Sequence, residues 1–243
     1  MSGTLRGPTA LGYCVHDSNV RSCLYVRQVM IETSDRPRRT QADRRAQSRN
    51  ALLEAAARGI SRFGYANLSL EWVAREAGYT RGALYHQFAN KEDLALAVVG
   101  WVEKTWNAEV GRLLASDTDP VATLLAVARG HAVYCRRDVG RVILTLRVEF
   151  TGQDHPVGRA ITGAVAPLLT KVAALVEAGR QYGSIPPGPP ARDIAEAIFV
   201  AMEAVVIALA GHAPHDAELA ERAVRGLLDV PPQALAVDAE DEA

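Results

Sequence analysis

The 243-residue chain is predicted to be all-α, with an N-terminal three-helix domain followed by a larger helical domain. Apolar residues recur at the spacing of one helix face in successive segments, most regularly in residues 121–135, and no segment alternates as a strand does. Residues that favour helix starts (Ser, Thr, Asn, Asp) precede these segments, and glycine follows several of them. Periodicity and boundary signals therefore agree on the class.

The first predicted helix follows a basic arm at residues 37–49. Its apolar positions Leu52, Ala56, Ile60 and Phe63 are expected to share one face, and we expect Gly64 to end it. This helix should pack across the next two helices and complete a three-helix domain.

Residues 69–91 predict two short helices joined by a tight turn. Ser69 is a good N-cap for the first helix, and Gly78 lies where a left-handed residue ends it without the cost of a Cβ. Thr80 then caps a second helix whose Leu84 is expected to face inward. This order is typical of the helix-turn-helix, in which the second helix enters the DNA major groove.

The remaining helices begin at clear capping signals. Asn90 is expected to cap a helix that ends near Ala115, and Asp119 followed by proline begins the next helix. Pro167 should kink a later helix, because proline lacks the N–H donor of a helix bond. The further helices are predicted at about 138–150, 156–182, 191–210 and 215–228, with a rigid Pro-rich connector at 186–190.

Charge is distributed unevenly along the chain. Residues 36–91 have eleven basic and four acidic side chains, a net charge of +7, so the rest must sum to −8 in a chain of net charge −1. A solvated charge run is one interpretation, whereas a basic DNA-reading domain beside an acidic body is the one that the adjoining motif favours. We predict an extension at 1–35, a DNA-binding domain at 36–91, a regulatory and dimerisation domain at 92–230 and an acidic tail at 231–243.

The residues of the second and third helices resemble the TetR family of bacterial transcriptional regulators. The resemblance is firm over about 44–101, and the run at 80–85 looks most like the AcrR-like branch of drug-efflux repressors. The matching residues are Ser69, Val73, Ala74, Ala77, Gly78, Thr80, Arg81, Gly82, Ala83, Leu84, Tyr85, Phe88, Lys91, Glu92 and Leu94.

The exposed face of the second short helix is the predicted DNA site. Arg81 can reach a guanine edge or a phosphate, while the small Gly82 and Ala83 let the backbone approach the bases. The resemblance implies that Thr80, Tyr85 and His86 bind phosphates and that Lys91 adds positive charge. The other DNA-binding candidates are Arg38, Arg39, Arg44, Arg45 and Ser69.

Three of these positions have structural alternatives. The Tyr85 ring could belong to the core, His86 could be an ordinary surface residue, and Gly82 could simply be tolerated near a helix start.

The resemblance also places a ligand pocket in the helices after the DNA-binding domain. The candidate ligand-binding residues are Trp101, His131, Tyr134, Cys135, Arg147, Phe150 and Phe199. His131 interrupts an apolar stripe, as a ligand-binding residue or a hydrogen-bonded core residue would. Arg147 and Glu149 either form an ion pair at a cavity or are separate charges in solvent or at a dimer edge, and we favour the latter interpretation.

The resemblance further implies a homodimer formed through the last two helices. The candidate dimer residues are Ile198, Met202, Val205, Leu209, Leu219 and Val224. His212 and His215 have a spacing compatible with a metal, but they flank Pro214 in a turn, so no metal and no cofactor is predicted.

The favoured hypothesis is a cytoplasmic homodimeric repressor that a hydrophobic small molecule of unknown identity releases from a palindromic DNA operator. Repression rather than activation is the family-based choice. The alternatives are a TetR-like DNA-binding protein without an effector, and a helical carrier or enzyme for an acidic substrate. No catalytic constellation and no membrane-spanning run is recognised in the sequence, and Met30 is a possible true start.

Overall fold

The computed structural model describes residues 40–115, 119–209 and 211–231, which contain helices and no strand, so the all-α prediction is confirmed. The α-helices are α1 (Gln41–Phe63), α2 (Leu70–Glu76), α3 (Arg81–Tyr85), α4 (Lys91–Glu109), α5 (Pro120–Cys135), α6 (Val142–Phe150), α7 (Pro156–Tyr182), α8 (Ala191–Leu209) and α9 (His215–Leu227). The extension at 1–35, Arg38, Arg39 and the tail after residue 231 lie outside the described residues.

The expected starts of α2 to α5 are confirmed by side-chain caps. Ser69, Thr80, Asn90 and Asp119 each accept a hydrogen bond from the backbone N–H three residues later. Such bonds satisfy amides that have no partner within the helix. Gly78 follows α2 with φ +77°, which confirms the left-handed turn.

The basic arm was wrongly predicted to precede the first helix. Thr40 and Asp43 form a capping box, in which Asp43 N–H donates to Thr40 Oγ1 (3.1 Å) and Thr40 N–H donates to Asp43 Oδ2 (2.9 Å). Helix α1 therefore begins at Gln41, and Arg44 and Arg45 lie on its first turns. The backbone of both arginines is therefore helical, while their side chains are exposed.

Three other details differ from the predictions. Helix α4 ends at Glu109, and a short 3-10 helix, Gly111–Ala115, continues it because glycine weakly supports an α-helix. Residues Asp138–Arg141 are also 3-10. Phe63 is 38% exposed, because it is the last residue of α1. Its ring packs edge-on against Trp72.

Two main groups of buried side chains organise the fold. In the first, residues of α1–α4 pack with Val142 and Leu146 of α6 and with Val157 of α7. In the second, α5, α7, α8 and α9 enclose side chains such as Val176 and Val224. The helix-turn-helix therefore shares its core with the middle of the chain.

Helix α7 is long and apolar enough to cross a membrane by length and composition, with a mean hydropathy of 1.5 over an 18-residue window. This corrects the expectation that no apolar run approaches that length. About 17% of that window is buried in the chain, and α7 packs against α4, α5, α6 and α8.

Candidate nucleic-acid interface and ligand cavity

Helix α3 separates an inner apolar face from an outer polar face. Leu84 is fully buried, whereas Arg81 and His86 are exposed and Tyr85 is 43% exposed. The structure therefore excludes Tyr85 from the core. A Cβ added to Gly82 would meet only Thr80 Oγ1, at 3.9 Å, so packing within the protein does not require glycine there.

Arg81 and Tyr85 form one polar unit on the outer face. Arg81 Nη2 donates to the Tyr85 hydroxyl (3.4 Å), and the guanidinium carbon lies 5.5 Å from the ring centroid. This hydrogen bond raises the pKa of Arg81, which remains a cation. The contact presents the guanidinium and the phenol together.

A groove between α1 and α3 brings other polar side chains beside this face. The residues that line it are Gln41, Arg44, Arg45, Gln47, Ser48, Tyr79, Ala83, His86 and Gln87. Gln87 Nε2 donates to Ser48 Oγ (2.9 Å), and Arg49 Nη1 donates to the Gln87 carbonyl (3.2 Å). These bonds fix the end of α3 against α1.

Sequence reasoning missed Gln41, Gln47, Ser48, Tyr79 and Gln87 as groove residues. Gln41, Arg44, Arg45 and Ser48 recur at i, i+3, i+4 and i+7, which is the spacing of one polar helix face. That periodicity was the available signal.

Three predicted DNA contacts also have partners within the protein. Ser69 and Thr80 use their hydroxyls as caps, and Lys91 Nζ donates to the Ala66 carbonyl (2.8 Å) and lies 4.7 Å from the Tyr65 ring centroid. Desolvation lowers the pKa of Lys91. Their DNA roles stay predictions.

Glu149 connects the end of α6 to the turn that follows α1. Its carboxylate accepts hydrogen bonds from the Tyr65 and Ala66 amides, both 2.6 Å long. Lys91 binds the Ala66 carbonyl from the start of α4. We call these four residues, Glu149, Tyr65, Ala66 and Lys91, the head joint, since they connect α6 to the DNA-binding domain. Arg147 does not pair with Glu149: its Nε lies 3.4 Å from Glu203, and its guanidinium lies 4.5 Å from the Phe199 ring centroid.

A cavity of about 90 Å³ lies among α4–α8. Of the predicted ligand-binding residues, His131, Tyr134, Cys135 and Phe199 line it together. Arg147 and Phe150 instead line a neighbouring groove on the other side of Phe199. Trp101 lines neither space and packs against the first core. Lining residues that sequence reasoning missed include Glu103, Trp106, Asn107 and Glu203.

His131 is both hydrogen-bonded and part of the cavity wall. Trp106 Nε1 donates to His131 Nδ1 (3.1 Å), so His131 Nε2 carries its proton toward Cys135 Sγ (3.6 Å) when neutral. Desolvation lowers the pKa of His131 to about 4, and burial raises the pKa of the Cys135 thiol to about 12. Both side chains are therefore uncharged near neutral pH.

The predicted dimer residues require a correction. Ile198, Met202, Val205 and Val224 are buried in the chain's own second core, because α8 packs against α7, α9 and α5, and α9 packs against α5 and α8. Leu209 and Leu219 are half-buried. A shallow apolar groove is open on the other face of α8 and α9, lined by Glu196, Ala197, Val200, Ala201, Ala223, Gly226 and Leu227.

Comparison with known proteins identifies the N-terminal domain. Residues 52–98 match the family model described as bacterial regulatory proteins, tetR family. The A-factor receptor protein of Streptomyces griseus is 28% identical over 147 residues, which are 59% of this chain and 48% of that protein. The chain thus spans about half the length of this curated relative.

Solved structures share the fold. A TetR-family regulator from Agrobacterium tumefaciens aligns with a TM-score of 0.66 and 21% identity, covering 77% of this chain and 100% of that one. AibR in complex with isovaleryl coenzyme A and operator DNA aligns with a TM-score of 0.62 and 21% identity, covering 76% and 100%. These neighbours have the helical architecture described above.

Proposed function

We propose that this chain, whose residues 52–98 are a tetR-family regulatory domain, is a homodimeric transcriptional repressor that a small molecule releases from its operator. The observation that carries the proposal is the outward face of α3, where Arg81, Tyr85 and His86 are exposed and His86 lines a groove together with Arg44 and Arg45 of α1. Phosphates attract such cations, and a side chain at a helix start can reach base edges.

Dimerisation is needed to read a near-palindromic operator. Two copies of α3 would enter successive major grooves about 34–36 Å apart. We assign the contact between copies to the open apolar groove of α8 and α9, where Val200 is 62% exposed. Small residues such as Ala197, Ala201 and Gly226 permit close approach of the helices.

The partly open cavity among α4–α8 supports a ligand-responsive regulator over a TetR-like protein without an effector. Helix α6 contributes Ile143 and Leu144 to the cavity and, one residue before its end, Glu149 to the head joint. A ligand that favours one position of α6 would therefore act on the turn before the helix-turn-helix. Its effect is limited by its difference in affinity for the two arrangements.

Selection of bound genomic DNA fragments, followed by fluorescence anisotropy at two salt concentrations, tests the DNA function. We expect tight binding to a near-palindromic site and much weaker binding to unrelated DNA, with both weakening as salt rises. Absence of salt-sensitive, site-specific binding would refute the proposed function.

Arg81→Ala tests whether the α3 face reads the DNA. We expect a loss of roughly 1–3 kcal/mol in operator binding and a relaxed base preference, because the guanidinium would no longer bind a base edge. Lys104→Ala removes the same charge from the exposed side of α4 and is the matched control. A uniform loss on all DNA sequences would instead make Arg81 a phosphate contact.

A further inference from the structure

The cavity wall combines aromatic side chains with carboxylates. Trp106, Tyr134 and Phe199 supply the rings, and Glu103 and Glu203 supply the acids. No lysine or arginine is among the residues that line the cavity in the described part of the chain. This wall provides no cation for a negatively charged ligand.

The buried polar groups of the wall are already engaged, whereas Asn107, which also lines the cavity, is exposed. Both ring nitrogens of His131 have partners, and the Tyr134 hydroxyl lies 2.8 Å from Thr105 Oγ1. Thr105 Oγ1 itself donates to the Val102 carbonyl (3.0 Å), which leaves the phenol to donate to Thr105. These donors are therefore unavailable to a ligand anion.

Glu203 is the half-buried acid of the cavity. Burial raises its pKa while Arg147 opposes that effect. Arg147 Nε is 3.4 Å from Glu203 Oε1 but makes no hydrogen bond, because the guanidinium is stacked on Phe199. The carboxylate consequently retains acceptor capacity where it lines the cavity.

The neighbouring groove does not compensate with free cations. It contains three arginines, and each has a carboxylate partner: Arg147 with Glu203, Arg159 with Asp154, and Arg192 with Glu196. A phosphate or carboxylate that extends from the cavity into this groove would have to compete with those pairs.

We infer that the cavity binds a small apolar compound without negative charge, which donates an N–H or O–H hydrogen bond to Glu203. The role of this compound as the effector rests on the proposed function, whereas its binding in the cavity does not. An anion there would lose part of its hydration beside another carboxylate, and the neutral amide of the exposed Asn107 would replace only a part of the lost water. An aromatic or aliphatic body would instead bury its surface against the rings.

Three probes with nearly the same skeleton test this charge preference: phenethylamine, phenethyl alcohol and phenylacetate. Binding to the full chain is measured by titration calorimetry at pH 7. We expect the amine and the alcohol to bind, with phenylacetate at least tenfold weaker than either.

Glu203→Gln keeps the shape of the side chain and removes its charge. We expect this variant to shrink the ratio of amine affinity to phenylacetate affinity at least tenfold. Glu177→Gln makes the same change at an exposed site on α7 and should leave the ratio unaltered. Ala164→Leu fills the cavity and should abolish binding of the probes.

Several results would overturn the inference: a preference below tenfold, an unchanged ratio in Glu203→Gln, no binding of any probe at millimolar concentration, or tighter binding of isovaleryl coenzyme A than of the amine. Operator binding is measured on the same samples. Charge preference without operator binding would refute the regulator function alone, whereas operator binding without charge preference would refute this inference alone.

Discussion

Replacing Glu149 by glutamine is expected to destabilise the head joint. In the native chain both carboxylate oxygens accept backbone N–H bonds of 2.6 Å, from Tyr65 and from Ala66. Glutamine keeps one acceptor oxygen, but its amide group turns an N–H donor toward the other backbone N–H. One charge-assisted bond is therefore lost and two donors face each other.

The magnitude follows from these contacts. A hydrogen bond to a charged group contributes about 1.5–3 kcal/mol to stability. The Ala66 amide is exposed, so water replaces part of what the substitution removes. We expect the free energy of unfolding to fall by about 1.5–2 kcal/mol, which is roughly 1 M in the urea midpoint at an unchanged slope.

Urea unfolding followed by circular dichroism measures this change at one fixed protein concentration, because dimerisation also contributes to stability. Glu177→Gln is the control, since Glu177 is exposed and lies 3.7 Å from Arg180, and an ion pair with an exposed partner is worth about 1 kcal/mol or less. Amide hydrogen exchange at Tyr65 and Ala66 should accelerate in Glu149→Gln. A loss below about 0.5 kcal/mol, with exchange unchanged, would refute the assigned role.

Three further predictions test the packing and the buried titratable groups. Asp216→Asn should lower the free energy of unfolding by about 2–3 kcal/mol at pH 7, since Arg136 donates two hydrogen bonds to Asp216 (2.9 and 2.7 Å) and holds its pKa below the usual value. The stability that the ionised Asp216 contributes should be complete above about pH 4. Unfolding measured at lower pH should show this contribution vanish as pH falls through the lowered pKa. Because the pKa of His131 in the folded chain is about 4, the unfolded chain binds a proton at this residue more readily than the folded chain does. The free energy of unfolding should therefore fall by up to about 3 kcal/mol between pH 6.5 and 4. An equal pH dependence in His131→Gln would contradict this prediction. Gly59→Ala should lower the free energy of unfolding by about 1–3 kcal/mol, because the new Cβ would lie 2.8 Å from Trp72 Cζ3. Gly100→Ala should raise it by up to about 1 kcal/mol, because no atom lies within 4 Å of the new Cβ and alanine favours the helix. Equal effects of the two substitutions in thermal unfolding would refute the packing argument.

Local signals predicted most helix boundaries, because the groups that set them are adjacent in sequence. Ser69, Thr80, Asn90 and Asp119 cap amides three residues away, and Gly78 needs only its own backbone conformation. The early start of α1 was missed although Thr40 and Asp43 have the spacing of a capping box. The capping box is a local signal for this helix start that was present in the sequence.

Predictions that depended on which face a helix turns inward were less successful. Helix α8 is apolar nearly all round, so its sequence did not distinguish the core-facing Ile198 and Met202 from the exposed Val200 and Ile207. Packing of α5, α7 and α9 against one side made that choice. Of the dimer residues that the family resemblance implied, Ile198, Met202, Val205 and Val224 are therefore buried within the chain itself.

The sequence by itself determined the helical class, the helix-turn-helix and the outward position of Arg81, because each depends on contacts within a few residues, whereas the structure was needed to place the Tyr85 ring outside the core. The tertiary structure alone decided which distant side chains meet. Glu149 lies 84 residues from Tyr65, and Glu203 shares a cavity with Trp106 and His131 of other helices. Periodicity indicates that a face is buried, but the partner that covers it depends on how helices cross, which no local pattern encodes.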